Sequence, residues 1–588
     1  MSDQLTTSTD TGISTVIDNA LELAKTGDPS GILNQTFTDG LKKLREIDEN
    51  HYVLSITPLI KSLKTTPPIT LGDIDRLTKP PKPTKQRYQQ GGDDGADQPR
   101  QGKTELAIDM VTSWANEIFC DESGKGYASF MVQPVDVDSG ELLPAHAETW
   151  PLDSKQFRGK VSREFRNQFG VVPGESALKE AVEVLAVDAE DRPRKPVYLR
   201  YAPKLGDDPG LYVDLVNDHW EVVEITGGGW RVISANQCPV KFRRVQHSRA
   251  LPMPERGGDI EQLWQHVNIA GDDDRLLVVA WLLECMRIST PYPVLELIAG
   301  QGSAKSTTQE RLRALIDPNA VMLRIEPRSN QDLSVSAISN HMISLNNMSH
   351  LSTSMQDFMC SVSTGGGDAT RRLHTTEDEA VWDTKRPIIM NGINQLVTRP
   401  DLADRAVCIE LEKVKYIDEA TLKQAWAQDY PKLTGALYDL MAGVLRDLPS
   451  VIIDKLPRMG DFAKLGAAMC MARKDAREFV SAFNRNRDSV VARGVESSPV
   501  ALALVSRIRA RGVFEGTAGE LMGILEEFQP LYFDKQAWPK SPRGLGEVLR
   551  RLAPSLSVYG IDVQQERGSG NRVKFIIQKI SAGDVPEG

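Results

Sequence analysis

The sequence predicts an α/β protein organised round a parallel sheet, with helical and α+β segments before the sheet and a helix–hairpin unit after it. Three observations carry this prediction. The apolar run Val294–Ile298 stops abruptly at the small residues Ala299–Ala304, and a helical pattern carrying Arg311, Leu312, Leu315 and Ile316 follows. Two further apolar runs, Met342–Leu345 and Pro387–Met390, each end in asparagine. Near the C-terminus, three helical stretches precede a hairpin turned at Gly568-Ser569-Gly570-Asn571.

Bulk properties set the limits. A chain of 588 residues suggests about three to five domains. Hydrophobic content of 40% with 26% charged residues is that of a soluble globular protein. The longest apolar stretch, Leu276–Leu283, stops at Glu284, far short of the roughly 20 residues that cross a bilayer. Met1–Asp10 is polar and has no basic segment leading into an apolar one, so a secretory signal is not expected. The cysteines at 120, 238, 285, 360, 408 and 470 are scattered without a C-x-x-C pair. They indicate neither a zinc site nor a disulfide framework, and a reducing cytoplasm is the simple reading. A net charge of −10 argues against coating nucleic acid by overall charge, so any DNA site must be regional.

Taken in order, residues 1–78 read as a helical domain, with Ile13, Val16, Ile17, Ala20 and Leu21 at helical spacing. Residues 79–103 are nearly free of apolar side chains and read as a linker, proline-rich first and glycine-rich after. Residues 104–250 form an α+β domain. Helices are expected at Glu105–Ile118, Asp153–Phe169 and Ser176–Leu185. Strands are expected at Pro196–Tyr201, Leu211–Asp214, Trp220–Ile225 and Trp230–Ile233, the last two turned by Gly227-Gly228-Gly229. Asp136-Val137-Asp138 has the D-x-D form that holds metals in primases, but in a Gly/Pro-flanked stretch it reads first as a solvated loop. His146 and Glu148 could join such a metal site, but read first as a satisfied surface pair. Residues 255–450 carry the sheet behind a helical lead-in, in which Asp272–Asp274 cap the helix that follows. Residues 451–500 are a helical connector, with Lys455–Arg473 and Asp475–Asn486 amphipathic.

Residues 501–580 read as a winged helix. Helices fit Ala501–Arg511 and Ala518–Phe528, and a third starts with Ser541 as N-cap and Pro542 in its first turn. Lys540, Arg543, Arg550 and Arg551 flank or face out from that third helix, as a recognition helix meets phosphates. Winged helices also mediate protein contacts.

The chemistry gathers at 299–307. A strand, a glycine-bearing turn, lysine and two hydroxyls before a helix make the layout of a P-loop, whose backbone N–H groups cradle phosphates. Gly300, Gln301, Gly302, Ser303, Ala304, Lys305, Ser306 and Thr307 are the candidate ATP-binding residues, with Lys305 on the β/γ oxygens and Ser306 on Mg²⁺. Both formal glycine positions, 299 and 304, hold alanine, which is acceptable at 304 if its φ is negative. The second strand should end in a carboxylate beside the metal. It ends instead in Asn346-Asn347, and an amide accepts from metal-bound water but brings no charge and cannot act as a base. Either hydrolysis is slow or another carboxylate serves, and Asp357 is nearby in sequence. Asn391, at the end of the third strand, is placed to orient the attacking water, or else closes an Asx turn. Arg405 is the first candidate, and Arg399 the second, for an arginine that reaches a neighbouring subunit's γ-phosphate; the alternative is a local pair with Asp401 or Asp404. Residues 365–383 form two β-like runs around a polar tip, in which Arg371, Arg372 and His374 are candidate phosphate contacts; the tip is acidic, which counts against simple phosphate gripping, and the alternative is that these residues make intersubunit ion pairs.

The ordered set A-G-Q-G-S-A-K-S-T, S-L-N-N-M-S-H-L, S-T-G-G-G-D-A-T-R, R-P-I-I-M-N-G-I and T-R-P-D-L-A-D-R-A resembles a family of ATPases encoded by bacteriophages, prophages and integrative elements. That family is similar to the AAA+ ring helicases of superfamily 3 and to the poxvirus primase-helicase. The resemblance is strongest over 255–415 and continues more loosely through 148–152 and 538–546. It implies an α/β AAA+ P-loop ATPase core with N-terminal helical and α+β accessory domains and a C-terminal winged helix. It further implies an ATP- and Mg²⁺-dependent DNA helicase or translocase, working as a hexameric ring in replication of a mobile element, with partners in replication and a bacterial cytoplasm as its setting. Single-stranded DNA would thread the pore past the 365–383 hairpin, and duplex would meet the winged helix. This chain departs from the family's usual Asp-Asn at 346–347, its common glycine at 304 and its frequent basic residue at 361. The first departure leaves open an origin-binding or helicase-loading protein whose assembly is gated by ATP binding without efficient turnover. A primase activity within 104–250 is a third reading, for which no full carboxylate triad is assignable.

Overall fold

The computed structural model describes residues 102–135, 140–365, 368–371, 379–382, 385–414, 418–475, 477–496, 498–531, 533, 538–567 and 573–580. The chain divides into Met1–Arg100 and Gln101–Gly588. The expected N-terminal helical domain, most of the linker, Asp136–Asp138, Arg372, His374 and the 568–571 turn lie outside the described residues.

The second unit opens with α1 (Lys103–Trp114) and an antiparallel sheet of β1 (Ala115–Cys120), β2 (Gly126–Val132) and β3 (His146–Pro151). The helix expected through Ile118 therefore stops at Trp114. Ala115–Cys120 pairs with β2 and sends Ile118 and Cys120 into a core shared with Phe130, and this pairing outweighs the segment's helical spacing. Helices α2 (Lys155–Phe169) and α3 (Glu175–Glu190) cover this sheet. Ser154 caps α2 by accepting from Phe157 N, and Gly170 ends it in the left-handed conformation at φ 71°. Then come β4 (Val197–Tyr198), β5 (Tyr201–Lys204), β6 (Gly210–Asp214), β7 (Glu221–Thr226), β8 (Gly229–Ser234) and β9 (Lys241–Phe242). Strands β5 to β8 form an antiparallel meander, and β4 pairs with β9.

The lead-in helix α4 (Asp272–Glu284) carries its three aspartates in the first turn, against the positive end of the helix dipole. The central sheet follows, in the chain order β10 (Val294–Ile298), α5 (Lys305–Ile316), α6 (Asn330–Ser339), β11 (Ile343–Met348), α7 (Thr353–Thr364), β12 (Asp368–Arg371), β13 (Glu379–Trp382), β14 (Ile388–Gly392), α8 (Pro400–Ala403) and β15 (Ala406–Glu410). Four of these strands are parallel in the order β11-β14-β10-β15, and Arg324 adds a parallel bridge to Leu345 on the outer edge. Strand β10 has neighbours on both sides and all five of its residues are buried, which explains why it reads as a continuous apolar run interrupted by Glu296 alone. Strands β12 and β13 pair as an antiparallel hairpin inserted before β14.

Helices α9 (Glu419–Asp447), α10 (Gly460–Arg473) and α11 (Phe479–Glu496) complete this layer. Across residue 250 the core is continuous: Tyr201, Leu211, Val213, Val223 and Trp230 belong to the same cluster as α4, β10 and α9. The strap 251–258 crosses α9 closely. Pro431 breaks the helix ladder, and its carbonyl accepts from Glu255 N at 3.0 Å. A Cβ on Gly435 would sit 1.7 Å from the Glu255 carbonyl, so only glycine fits that crossing.

The C-terminal unit has its own core and runs α12 (Pro499–Arg511), β16 (Phe514–Thr517), α13 (Ala518–Leu525), α14 (Pro542–Val558), β17 (Ile561–Arg567) and β18 (Val573–Lys579). Its antiparallel sheet has the order β16-β18-β17. Ser541 accepts from Gly544 N at 3.2 Å with Pro542 behind it, so α14 starts where the capping residues require.

Candidate functional site

The turn 299–304 leaves β10 at the carboxyl edge of the parallel sheet and is pinned from both sides. Ala299 N donates to Gly392 O at 3.1 Å, and Val414 N donates to Gly302 O at 3.2 Å. Asn268 donates through its side chain to Ser303 O at 2.8 Å and to Glu412 O at 2.7 Å, while its own N–H reaches Thr308 Oγ1 at 3.0 Å. Ser303 Oγ donates to Gly300 O at 2.8 Å and is itself buried, so it shapes the turn from inside. Lys305 opens α5 with Ser306 and Thr307 behind it, so the first turn of the helix directs its free N–H groups at the space above the loop.

Ala304 departs from the sequence expectation. Its φ is +54° and its ψ 27°, the left-handed region, not the negative φ that would make alanine costless there. Ala304 is the residue immediately before α5, so the chain passes through this left-handed conformation as it enters the helix, two residues after Gly302, itself at φ +77°.

The polar residues that end three separate elements converge on one point. Ser306 Oγ donates to Asn346 Oδ1 at 2.9 Å, and Asn391 Nδ2 donates to the same oxygen at 2.7 Å. Asn391 is fully buried and its Oδ1 accepts from Asn347 N at 2.8 Å. Gln309, one turn along α5, accepts from Asn391 Nδ2 and donates to Ser344 Oγ at 2.8 Å and Leu345 O at 3.0 Å. Asn347 takes a left-handed φ of +58°, which asparagine tolerates better than other side chains, and it is exposed at the strand end. The arrangement thus presents a hydroxyl and an amide carbonyl side by side at a helix N-terminus. This is an oxygen pair suited to a hydrated divalent cation whose charge is balanced by phosphates and not by the protein. Among the described residues, no group of three or more His, Cys, Asp or Glu is placed to hold a metal.

Carboxylates near this edge have defined partners. Asp357 does not reach Asn346; it pairs with Arg399 at 3.0 Å on α7. Glu326 stands beyond the Arg324 bridge at the β11 edge and accepts from Ser349 Oγ at 2.8 Å. Glu296, buried in the middle of β10, accepts from Val397 N at 3.3 Å and from Leu396 N, so it anchors the segment that leaves Asn391 and leads to Arg399. Burial holds its carboxyl above the ordinary value, partly offset by the Leu396 N–H, the Cys408 thiol and the Val397 N–H.

Arg405 makes the local pair that was the alternative to an intersubunit role: its Nη1 lies 2.5 Å from Asp401 Oδ2 and donates to Asp401 O at 3.2 Å. Arg458 shares the same carboxylate at 2.7 Å. Arg371 lies on β12 with its backbone opposite Glu379. Arg543, Arg550 and Arg551 are exposed on α14, and Arg543 pairs with Glu547 at 3.5 Å. His146 is buried, not at the surface; its Nε2 meets Glu148 at 3.2 Å and its ring stacks on Trp220. Asn268, Gln309, Gln356 and Glu326 are site or supporting residues that sequence reasoning missed. Gln356 shows the reason: its amide accepts from Thr398 N at 3.2 Å and Arg399 N at 3.1 Å, a contact across 42 residues that leaves no local pattern.

Residues 260–490 match the family model of an actinomycete integrative conjugative element replication protein, and residues 500–585 match the C-terminal domain model of the same RepA proteins. No curated protein matches the chain. Among solved structures it is similar to an active helicase, Cch of SCCmec type IV, at 11% identity and TM-score 0.41, covering 79% of this chain and 93% of that one. It is also similar to the apo C-terminal region of NrS-1, at 12% identity and TM-score 0.36, covering 81% and 100%.

Proposed function

From the premise that this chain belongs to the replication proteins of actinomycete integrative conjugative elements, we propose that it is an ATP-dependent DNA helicase or translocase acting as a ring, with an AAA+ P-loop core and a C-terminal winged helix. The observation that carries the proposal is the meeting of Ser306, Asn346 and Asn391 directly beside Lys305 at the carboxyl edge of the parallel sheet. ATP binds with its phosphates against the N–H groups of residues 300–306, where the α5 dipole favours negative charge. Lys305 neutralises the β/γ oxygens, and Ser306 with Asn346 holds Mg²⁺, which when bound draws charge from the phosphoryl oxygens. Asn391, fixed through Gln309 and Asn347, orients water towards the γ-phosphate. Glu326, exposed at the same edge, is the candidate carboxylate for the missing negative charge.

Arg405 reaches a neighbouring subunit's γ-phosphate by exchanging its Asp401 partner for that phosphate, one charge-assisted pair for another. Arg371, Arg372 and His374 meet single-stranded DNA in the pore. Arg543, Arg550 and Arg551 meet duplex at α14.

A second reading is favoured by one observation, the neutrality of Asn346 at the metal edge. In it, ATP binding without efficient turnover gates assembly of an origin-binding or loader protein. ATPase assays with single-stranded DNA separate the two. DNA-stimulated turnover in the native chain, abolished by Lys305→Ala and reduced by Glu326→Gln, supports the helicase. A silent native chain revived by Asn346→Asp supports the gate.

A further inference from the structure

Helix α2 carries five basic residues and one acid in a chain whose net charge is −10. Helix α3, packed on the same core, has the reverse, five acids and one lysine. The two signs are sorted between the helices and not interleaved along them. Phe157, Val161 and Phe165 are the buried side of α2. Lys155, Gly159, Arg163 and Arg166, at i, i+4, i+8 and i+11, share an exposed face turned away from that side, and Arg158 borders it.

The neighbouring charges do not neutralise this face. Lys160 is spent on aromatic rings, 4.7 Å from the centre of Phe130 and 5.5 Å from that of Trp114, and Glu164 lies one turn along on that same flank. Asp153, ahead of the helix, pairs with Lys125 at 3.4 Å, and its backbone oxygen accepts from Arg158 at 3.0 Å. On α3, Glu183 pairs with Lys179 at 3.8 Å, and Glu180 accepts from Thr104 at 3.0 Å and Ser176 at 2.8 Å. Among the described residues, the side chains of Lys155, Arg163 and Arg166 meet no carboxylate.

Gly159 stands in the middle of the basic face. It is exposed, and nothing lies within 4 Å of where its Cβ would be. A glycine inside a helix weakens it relative to alanine, and neither close packing nor a positive φ asks for one here. What it does is leave the backbone bare between flanking cations, so that a bulky anion can come against the helix. Lys155 and Arg166 are about 16 Å apart along the axis, at 1.5 Å per residue. Over such a length each strand of a DNA duplex offers a phosphate about every 3.4 Å. Gln156, Ser162 and Asn167 flank the cations with side chains that also donate to phosphates. The one aromatic ring bordering the face, Phe169, is packed on Phe165 with 4.6 Å between centroids, so no free ring is offered on which an unpaired base could stack.

We propose that the basic face of α2 is a further DNA site, which takes the phosphate backbone of duplex DNA without reading its sequence. It is separate from the ATP edge and from α14, and it rests on neither of their assignments.

The test uses the full chain without ATP and a duplex of arbitrary sequence. Lysines are acetylated with a limiting amount of an N-hydroxysuccinimide ester, with and without duplex, and the modified positions are read by peptide mass spectrometry. Duplex is expected to protect Lys155 and to leave Lys179, on the acidic helix, unchanged. Fluorescence anisotropy across a salt series then compares the native chain with Lys155→Gln/Arg163→Gln/Arg166→Gln. Glutamine keeps the helix propensity of these exposed positions, and the fold is checked by the melting curve. Both chains have the same α14, so the difference between them belongs to α2. Loss of three phosphate contacts lowers duplex affinity by about tenfold or more at about 0.1 M salt, and flattens the dependence of log affinity on log salt by up to about 2.7. An unprotected Lys155, or an unchanged salt slope in the variant, overturns the site. Oligothymidylate binding that falls as steeply as duplex binding overturns the duplex assignment in favour of a single strand. If the variant keeps its salt slope but loses self-association, and regains it when combined with Glu183→Lys/Asp188→Lys, the face meets α3 of a second copy and the DNA site is overturned.

Discussion

Ala304 holds a conformation that costs an L-residue about 1–2 kcal/mol, at the hinge between the turn and α5. Ala304→Gly removes that strain, partly offset by the greater freedom of glycine in the unfolded chain. A net gain of about 0.5–1 kcal/mol is expected in denaturant unfolding. Asn346 is the more consequential residue. Its Oδ1 already accepts from Ser306 and Asn391, so aspartate fits the same two donors and adds a charge at the proposed metal edge. Asn346→Asp is expected to tighten the Mg²⁺ dependence of ATP binding, read by titrating Mg²⁺ against a fluorescent ATP analogue; no change would remove Asn346 from the metal site. Ser306, Asn346 and Asn391 were legible in the sequence because each closes an apolar run or opens a helix. Asn268 and Gln309 were not, because a lone asparagine and a buried helical glutamine acquire their roles only when distant segments meet. Ala304 was legible as a departure but not in its sign, since a residue letter does not carry φ.

Among elements, those with strong periodicity and a cap were read closely. Helix α14 begins at its serine and proline, and β10 ends at its small residues. The segment after Trp114 was misread because its apolar spacing suits both a helix and an edge strand, and pairing with β2 decided it. Helix α14 also carries a testable surface. Arg543 and Arg550 are seven residues apart, so they share an exposed face, and Arg551 adjoins it. Replacing all three by glutamine leaves the buried stripe of Leu545, Leu549 and Leu552 intact. If α14 meets duplex phosphates, the triple variant loses up to about 2.7 from the salt slope of duplex binding, at about 0.9 per contact. An unchanged slope would turn α14 towards a protein partner.

At the scale of the molecule, a buried polar knot ties the α+β region to the sheet. Arg200 donates to Asp317 Oδ1 at 3.3 Å, to Arg249 O at 2.9 Å and to Pro318 O at 3.3 Å, while Asp317 also accepts from Met342 N at the entry to β11. Burial alone would raise the Asp317 carboxyl, but Arg200 and then Arg313 outweigh it and hold it below its ordinary value. Arg200→Ala strands that carboxylate and is expected to cost about 3–5 kcal/mol in unfolding experiments. His341 donates from Nε2 to Cys285 O at 2.7 Å, and burial lowers it to about 4 against the pull of Asp317. Its folded value is depressed, so it stays neutral while the unfolded chain takes up a proton below its ordinary 6.5. The stability it contributes is therefore complete above about pH 6.5 and is lost as pH falls towards about 4, a change on the order of 3 kcal/mol. His341→Gln, which keeps a donor for Cys285, flattens that slope in unfolding curves recorded across the same range. None of this knot was legible beforehand, because its members are spread from 200 to 342 and each looks ordinary in its own neighbourhood. The same closeness bears on how such a gene can be shuffled between elements. The strap crossing at Glu255 and Gly435, and the core running under it, make positions 250–258 a poor seam for recombination: a chimaera joined there inherits halves of one interior from different parents. A junction near 498, before the separate C-terminal core, leaves both interiors nearly whole, so viable hybrids between related elements are expected to exchange the last unit and keep the rest together.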